Sequence, residues 1–289
     1  MAVDPADRLH AEHVQVGGLR LHHTWGGQGA PVLFIHGLGS AGFLGWRFNL
    51  SQIARGHRVL APDLPGFGRS DKPLSARYGV PLFTRTLLRY LDTQRVGKVA
   101  LVGASMGGRI ALELALYSPA RVSRLVLVNA LGLGFPRRVL HAVFLLPGVG
   151  EAVFGVTSTL LRRVPARTIR RAASRFGLIE RPDVAMDDSY LAALREIHGD
   201  DHTAPAYLAT VRSLALMGTL DLSGELPRLQ MPVRLIWGAD DPLFPVEHAT
   251  RAHRLVPGSE LAVIQGAGHS PEAERPDEFN RVLERFLGD

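Results

Sequence analysis

Val99-Ala100-Leu101-Val102-Gly103-Ala104-Ser105-Met106-Gly107-Gly108, continuing into Arg109-Ile110-Ala111-Leu112-Glu113-Leu114-Ala115-Leu116, decides how this 289-residue chain folds. Four apolar residues closed by Gly103 read as a buried strand. The run from Arg109 to Ser118 contains no Gly or Pro and reads as a helix. Between them stands G-x-S-x-G. A Ser on so sharp a strand-to-helix turn is expected in a strained backbone conformation that lifts its Oγ clear of the sheet, and a Cβ at Gly103 or Gly107 is expected to collide with the neighbouring strand or helix. The turn also sets the Ser at a helix N-terminus, where N–H groups and the dipole favour developing negative charge. Alone, the pattern is weak, because an ordinary Gly-rich loop would match it. The strand before it and the helix after it give it weight.

Outward from this turn, short apolar strands alternate with helices. His13–Val16 and Leu19–Trp25 flank Gly17-Gly18, the signal of a two-residue hairpin. Val32–Ile35 is a buried strand ending at His36-Gly37-Leu38-Gly39-Ser40. Phe43–Ala54 reads as one helix, Arg58–Ala61 as a strand, and Leu82–Leu91 as a helix with Phe83, Leu87 and Leu91 on one face. Arg124–Val128, Val233–Trp237 and Leu261–Ile264 complete eight strands. Helices near Val246–Leu255 and from Pro276 onward, where Phe279, Val282, Leu283, Phe286 and Leu287 make one apolar stripe, finish the pattern. The alternation implies a mostly parallel eight-stranded sheet covered on both faces, with an antiparallel hairpin at its start.

Between Gly134 and Arg228 the strand pattern lapses. A block of roughly 95 residues is too long for a loop and reads as an inserted helical cap after strand 6. The expected organisation is a core of residues 1–133 and 229–289, with a cap of 134–228. Val139–Leu161 is nearly uncharged, but Pro147, Gly148, Gly150 and Glu151 break it into two amphipathic helices rather than one membrane span.

Composition bounds the function. The chain has no Cys, which excludes disulfides, thiolate metal sites and a Cys nucleophile. Met1–Glu12 has no apolar run and is not expected to be a signal peptide, so a cytoplasmic enzyme is expected. The net charge of +6 comes from 31 Arg and only Lys72 and Lys98. Nine Arg against Glu151 and Glu180 between Gly134 and Pro182 leave a local excess of +7. Nucleic-acid binding would want this charge interleaved with exposed aromatics or set on a recognisable module; the neighbours here are Leu, Val and Phe, so nucleic acid is not the expected partner. Arg162, Arg163, Arg167, Arg170 and Arg171 instead offer a surface for an anionic substrate or a peripheral membrane contact.

Five motifs, each at the carboxyl end of an expected strand, resemble those of the α/β-hydrolase fold superfamily, specifically its cap-bearing members. They are His36-Gly37, Asp63-Leu64-Pro65-Gly66-Phe67-Gly68-Arg69-Ser70, Gly103–Gly107, Gly238-Ala239-Asp240-Asp241-Pro242-Leu243-Phe244-Pro245 and Gly268-His269. The resemblance implies Ser105 as nucleophile, His269 as base and Asp241 as the acid that orients it, with backbone N–H groups of Leu38 and Met106 as the oxyanion hole. Asp240 competes with Asp241, and the family's spacing from Gly238 and to Pro245 selects Asp241. No acid stands at Asn129, after the sixth strand, where some members carry theirs. His36 and Asp63 read as loop-shaping groups.

The chemistry asks for these residue types independently. A Ser hydroxyl becomes nucleophilic when an imidazole takes its proton, and the imidazole needs a carboxylate to fix its tautomer and balance its charge. Ser105 excludes the dehalogenase and epoxide hydrolase branches, which use a carboxylate nucleophile. The leading expectation is hydrolysis of a hydrophobic carboxylic ester through an acyl-enzyme, with neither metal nor organic cofactor. The alternative is a carbon–carbon bond hydrolase of ring-cleavage products (vinylogous 1,5-diketones), which the cap, the Ser-Met-Gly-Gly run and Gly45–Asn49 resemble. Ser270 stands against it, where such enzymes tend to have an aromatic residue. A non-catalytic ligand-binding member is the third reading. Apolar residues of the cap, among them Phe135, Val139, Leu140, Val143, Phe144, Val153, Phe154, Leu160 and Leu161, either face the cleft and favour a greasy acyl group or only seal the cap onto the core.

Overall fold

The computed structural model describes residues 9–135, 142–175, 179–216 and 221–288. Eight strands form one sheet: β1 His10–Val16, β2 Leu19–Gly26, β3 Ala30–Ile35, β4 His57–Pro62, β5 Val99–Ala104, β6 Val122–Val128, β7 Val233–Gly238 and β8 Glu260–Ile264. Their order across the sheet is β1-β2-β4-β3-β5-β6-β7-β8. β1 and β2 pair antiparallel with each other, β2 antiparallel with β4, and every remaining neighbour runs parallel. The hairpin turn behaves as its Gly pair requires. Val16 pairs with Leu19, and Gly17 and Gly18 both take positive φ, at 55° and 88°.

Every residue of β5 and β7 is buried, because helices cover both faces of the sheet. The strand period of two divides the core accordingly. Leu33, Leu101, Leu125 and Leu235 pack on one face with Phe83, Leu87 and Ile110. Val32, Phe34, Val102, Val126 and Ile236 pack on the other with Trp46, Phe279 and Leu283. From β3 the chain steps outward to β4, then returns to place β5 on the opposite side of β3. At such a reversal the loops after β3 and β5 leave the sheet toward opposite faces, and a crevice opens beyond their carboxyl ends.

The helices near Val246–Leu255 and from Pro276 fall where the sequence sets them, the latter running to Gly288. Phe43–Ala54 differs. Instead of one helix there are two single turns, Gly42–Gly45 and Leu50–Ile53. Tertiary demands override the local preference for helix. Gly42 lies so close to the sheet that a Cβ would sit 2.4 Å from the Ala61 carbonyl oxygen. The Asn49 side chain is drawn into hydrogen bonds with the Glu272 carbonyl at 3.1 Å and with Asn280 at 2.8 Å.

Between β6 and β7 the described residues are mainly helical: Val149–Arg163, Ala166–Arg175, Pro182–Ala185, Asp188–Ile197 and Thr203–Leu216. A bridge between Leu133 and Asp221 brings the two ends of this segment together. Val139 and Leu140 lie outside the described residues. From Ala142 onward, a 3-10 turn to Leu145 precedes the helix that starts at Val149, with Pro147 and Gly148 between them.

Candidate active site

Ser105 occupies the expected turn with φ 53° and ψ −116°. Few L-residues adopt this geometry, and the surrounding chain imposes it. Its N–H donates to Val128 O at 2.9 Å, and its own carbonyl accepts from Gly108, Arg109 and Leu131 N–H. A Cβ at Gly103 would stand 2.3 Å from the Gly107 carbonyl oxygen, and one at Gly107 would stand 2.1 Å from the Ile35 carbonyl oxygen. Strand and helix therefore close on each other only with hydrogen at both positions, and the hydroxyl of Ser105 projects into a cleft.

His269 follows β8 in a loop that reaches back to this turn. Its Nε2 lies 3.1 Å from Ser105 Oγ, and its Nδ1 lies 2.9 Å from Asp241 Oδ2. The three side chains expected from the sequence thus form one hydrogen-bonded line across the ends of β5, β7 and β8. Asp241 Oδ1 accepts from Leu243 N–H at 2.8 Å and Phe244 N–H at 3.1 Å. Asp240, by contrast, is exposed, with its own N–H spent on Ala267 O. Burial pushes the Asp241 carboxyl up, but the His269 charge and the hydrogen bonds from His269, Asn129 and Leu243 outweigh it and hold the group below its ordinary range. Burial likewise pushes His269 down, while the charge of Asp241 and the hydrogen bond to it outweigh burial and hold His269 above its ordinary value.

Asn129 joins this line in a way the sequence did not disclose. Its Nδ2 donates to Asp241 Oδ2, and its Oδ1 accepts from Gly238 N–H at 3.0 Å. It sits at φ 40°, a conformation that Asn tolerates better than most residues. The signal was its place directly after an apolar strand, where a polar residue must serve the loops rather than the sheet.

His36 is fully buried, with Nδ1 2.8 Å from Gly37 O and Nε2 accepting from Leu64 N–H at 3.0 Å. It ties the loop after β3 to the loop after β4. Asp63 accepts from Gly42 N–H, Arg69 N–H and His22 Nδ1 at 2.7, 2.9 and 3.0 Å. Both are loop-shaping groups, as their sequence context indicated. The loop they shape lies against Ser105, since a Cβ at Gly37 would fall 3.3 Å from Ser105 Cβ. Leu38 follows on that loop and borders the cleft, and Met106 opens the helix directly after Ser105.

Two further acids stand three and five residues beyond His269. Glu274 has no exposure and accepts four backbone N–H groups: Gly268 and Ser270 at 3.1 Å on Oε1, and Glu180 at 2.7 Å and Arg181 at 3.1 Å on Oε2. It joins the His269 loop to the helical segment. Glu272 borders the cleft and is almost fully buried. Burial pushes its carboxyl up to about 8. The spacing of these acids gave no hint of either role.

The cleft measures about 150 Å³ and is bordered by Ser105, His269, Trp46, Arg47, Tyr190 and Glu272, among others. From the helical segment it receives Ile179, Ala185 and Tyr190. The apolar residues that the sequence left either facing the cleft or sealing the segment do not border it where they are described: Phe144 and Phe154 pack on Tyr207, and Leu160 is exposed. A larger cavity of about 360 Å³ lies between the loop after β4 and residues 196–202. Its walls are ion pairs, Arg69 with Glu196 and Lys72 with Asp200, and it touches none of Ser105, His269 or Asp241. Among the described residues no group of three or more His, Asp or Glu side chains is placed to hold a metal ion, and no helix is long and apolar enough to cross a membrane.

The sequence model described as alpha/beta hydrolase fold matches residues 30–276. A protein of Mycobacterium tuberculosis (strain H37Rv), known only as uncharacterized, is 32% identical over 287 residues, covering 94% of this chain and 79% of the relative. The 2-hydroxy-6-oxo-2,4-heptadienoate hydrolase of Pseudomonas putida (strain F1) is 29% identical, covering 95% of each chain. Among solved structures, a serine hydrolase involved in carbazole degradation (CarC) superposes with a TM-score of 0.79 at 26% identity, covering 97% of this chain and 99% of the other.

Proposed function

The chain belongs to the α/β-hydrolase fold family, and from that premise we propose that it is a serine hydrolase that cleaves a carboxylic ester through an acyl-enzyme. The observation that carries the reading is the unbroken contact from Ser105 Oγ through His269 to Asp241, opening on a cleft. His269 Nε2 takes the hydroxyl proton as Ser105 Oγ adds to the ester carbonyl, and Asp241 holds the imidazole in the tautomer that accepts it. The N–H groups of Leu38 and Met106 stabilise the oxyanion. Collapse of the tetrahedral intermediate breaks the bond to the alcohol, which leaves with the proton from His269. Water then enters by the same general-base route and releases the acid.

A second reading has its own support. Relatives such as the Pseudomonas putida hydrolase named above are similar over nearly the whole chain, which favours hydrolysis of a carbon–carbon bond in a vinylogous 1,5-diketone. Ser270, where an aromatic residue would be expected, weighs against it. The deciding experiment is a panel of p-nitrophenyl esters of increasing acyl length run beside such a diketone. The ester reading expects turnover of short esters to exceed that of the diketone, and the reverse order assigns the carbon–carbon reaction.

The segment between β6 and β7 acts as a cap in this reading. Its outer face carries the exposed Val149, Val156 and Leu160, followed by exposed Arg162, Arg163 and Arg167. Apolar side chains rimmed by cations support peripheral contact with an anionic lipid surface.

A further inference from the structure

Two polar atoms at the candidate active site have no hydrogen-bond partner among the described residues: Trp46 Nε1 and Glu272 Oε2. Both atoms are buried, both residues border the cleft that holds Ser105 and His269, and Trp46 and Glu272 are 1% and 7% exposed. Neither side chain is there for want of an alternative. The Trp46 ring packs on Phe34 and Phe279, with centroids 5.1 and 6.2 Å apart, and those contacts would be satisfied by Phe. Glu272 is fixed by its backbone, whose carbonyl accepts from Asn49 Nδ2, so its carboxyl is not needed to anchor the helix Pro271–Glu274. A buried donor or acceptor left unmade is costly, and such atoms in a cleft mark a place where a ligand completes the bonding.

We propose that Trp46 and Glu272 form a subsite of the cleft that takes a hydroxyl group of the substrate. The assignment rests on the hydrolase reading and adds to it the kind of substrate. A hydroxyl can accept from the indole N–H or donate to the carboxyl oxygen, so the same kind of group suits either orphaned atom. A hydrocarbon at the same place satisfies neither. Burial keeps the Glu272 carboxyl neutral, with Glu274 adding to it and His269 and Arg47 opposing it. His269 and Glu274 lie on its own stretch of chain. Arg47 and Tyr190 approach from other elements, and the Arg47 guanidinium is committed to Leu44 O, Ala185 O and Asp187. A neutral acid and a neutral indole bordering one cleft select an uncharged polar group over an anion.

The test compares kcat/KM for p-nitrophenyl butanoate with its 2-hydroxy and 3-hydroxy derivatives, and for an ethyl ester with the 2-hydroxyethyl ester of the same acid. At least one hydroxylated ester is expected to exceed its deoxy partner by about 10- to 100-fold, since the deoxy ester leaves two buried groups unpaired. Glu272→Leu brings that ratio close to one, Trp46→Phe lowers it by about 3- to 10-fold, and Glu272→Gln, which keeps a donor and an acceptor, retains most of it. A purely structural role would slow both members of each pair equally and leave the ratio unchanged. That result in Trp46→Phe or Glu272→Leu, or the absence of any hydroxyl preference in the wild-type protein, overturns the subsite. Ser105→Ala separates the two readings, because its full turnover would remove the hydrolase assignment whatever the ratios show.

Discussion

The loops at the carboxyl ends of β5, β7 and β8 and the helical segment between β6 and β7 meet at one cleft, but different forces hold them. The loops are set by backbone constraint. Gly103 and Gly107 permit contacts that no other residue would allow, Ser105 is held at φ 53°, and Asp241 is fixed by two N–H groups of its own turn. The segment is stitched on by side chains reaching carbonyls and carboxylates. Arg47 donates to Ala185 O and Arg181 to Glu274 O across the seam, while Arg170 donates to Met186 O and Arg195 to Leu161 O and Val164 O within the segment. Contacts of the first kind tolerate little displacement. Those of the second kind are made by long, partly buried side chains, and each contributes modestly. The groups proposed to react therefore sit on the rigid part, and the adjustable part adds Ile179, Ala185 and Tyr190 to the border of the cleft. Of the nine Arg between Gly134 and Pro182, Arg170 and Arg181 take part in these contacts, whereas Arg162, Arg163 and Arg167 are exposed.

The sharpest challenge to that contrast is Ser105→Ala. It is expected to remove about 10⁴- to 10⁶-fold in kcat on the preferred substrate while leaving the thermal denaturation midpoint almost unchanged. A variant that kept a tenth of wild-type activity would show that the turn does not carry the chemistry.

Asp241→Asn is expected to cost several orders of magnitude in kcat, and Asp240→Asn less than about threefold. Steady-state kinetics on the two variants compares a carboxylate in contact with His269 against an exposed neighbour. A reversed outcome would break the assignment of the loop.

Glu274→Ala probes the seam between the regions. Four backbone N–H groups lose their acceptor, so a loss of about 2–4 kcal/mol in denaturant unfolding is expected, along with a fall in kcat as the His269 loop loosens. Unchanged stability would mean that the two regions are joined mainly by the Arg contacts.

Glu272 gives a smaller, pH-dependent effect. Its carboxyl is raised from 4.5 to about 8 in the folded protein. The unfolded chain releases this proton near 4.5 and the folded one keeps it to about 8. The contribution to stability is therefore complete below pH 4.5 and declines as pH rises toward 8. Glu272→Gln removes the titration, so its melting temperature should gain on the wild type between pH 5 and 8 and hold a constant lead above. A gap that does not change with pH would refute it.

The smallest expected effect concerns the cap's outer face. Binding to anionic vesicles, followed by co-sedimentation, should weaken severalfold between low salt and 0.5 M salt, because screening lengths fall below about 10 Å above 0.1 M. Vesicles of neutral lipid should bind weakly throughout, and equal binding to both would overturn the contact with anionic lipid.

What the sequence by itself determined is what local chemistry enforces. The strand–Gly–Ser–Gly–helix turn, the Gly17-Gly18 hairpin and the buried runs of β3, β5, β6 and β7 each follow from steric and hydrophobic rules acting over a few residues. The sheet follows from their alternation. The order of Ser105, Asp241 and His269 was legible because each stands just beyond a strand, and parallel strands gather their ends. Only the tertiary structure decided the rest. Asn129 became a partner of Asp241 because β6 lies beside β7. Glu274 became a strap because residues 180 and 181 happen to fall on it, and Glu272 came to border the same cleft as Trp46, more than 200 residues earlier in the chain. The helix expected over Phe43–Ala54 split because Gly42 and Asn49 answer to Ala61, Glu272 and Asn280 rather than to their neighbours in the chain. Apolar residues of the cap turned away from the cleft for a related reason: their amphipathic pattern says that they are buried, or exposed, but not against what. Local rules fix conformation within a turn or a strand, whereas the partners of a side chain are chosen by packing between segments far apart in sequence.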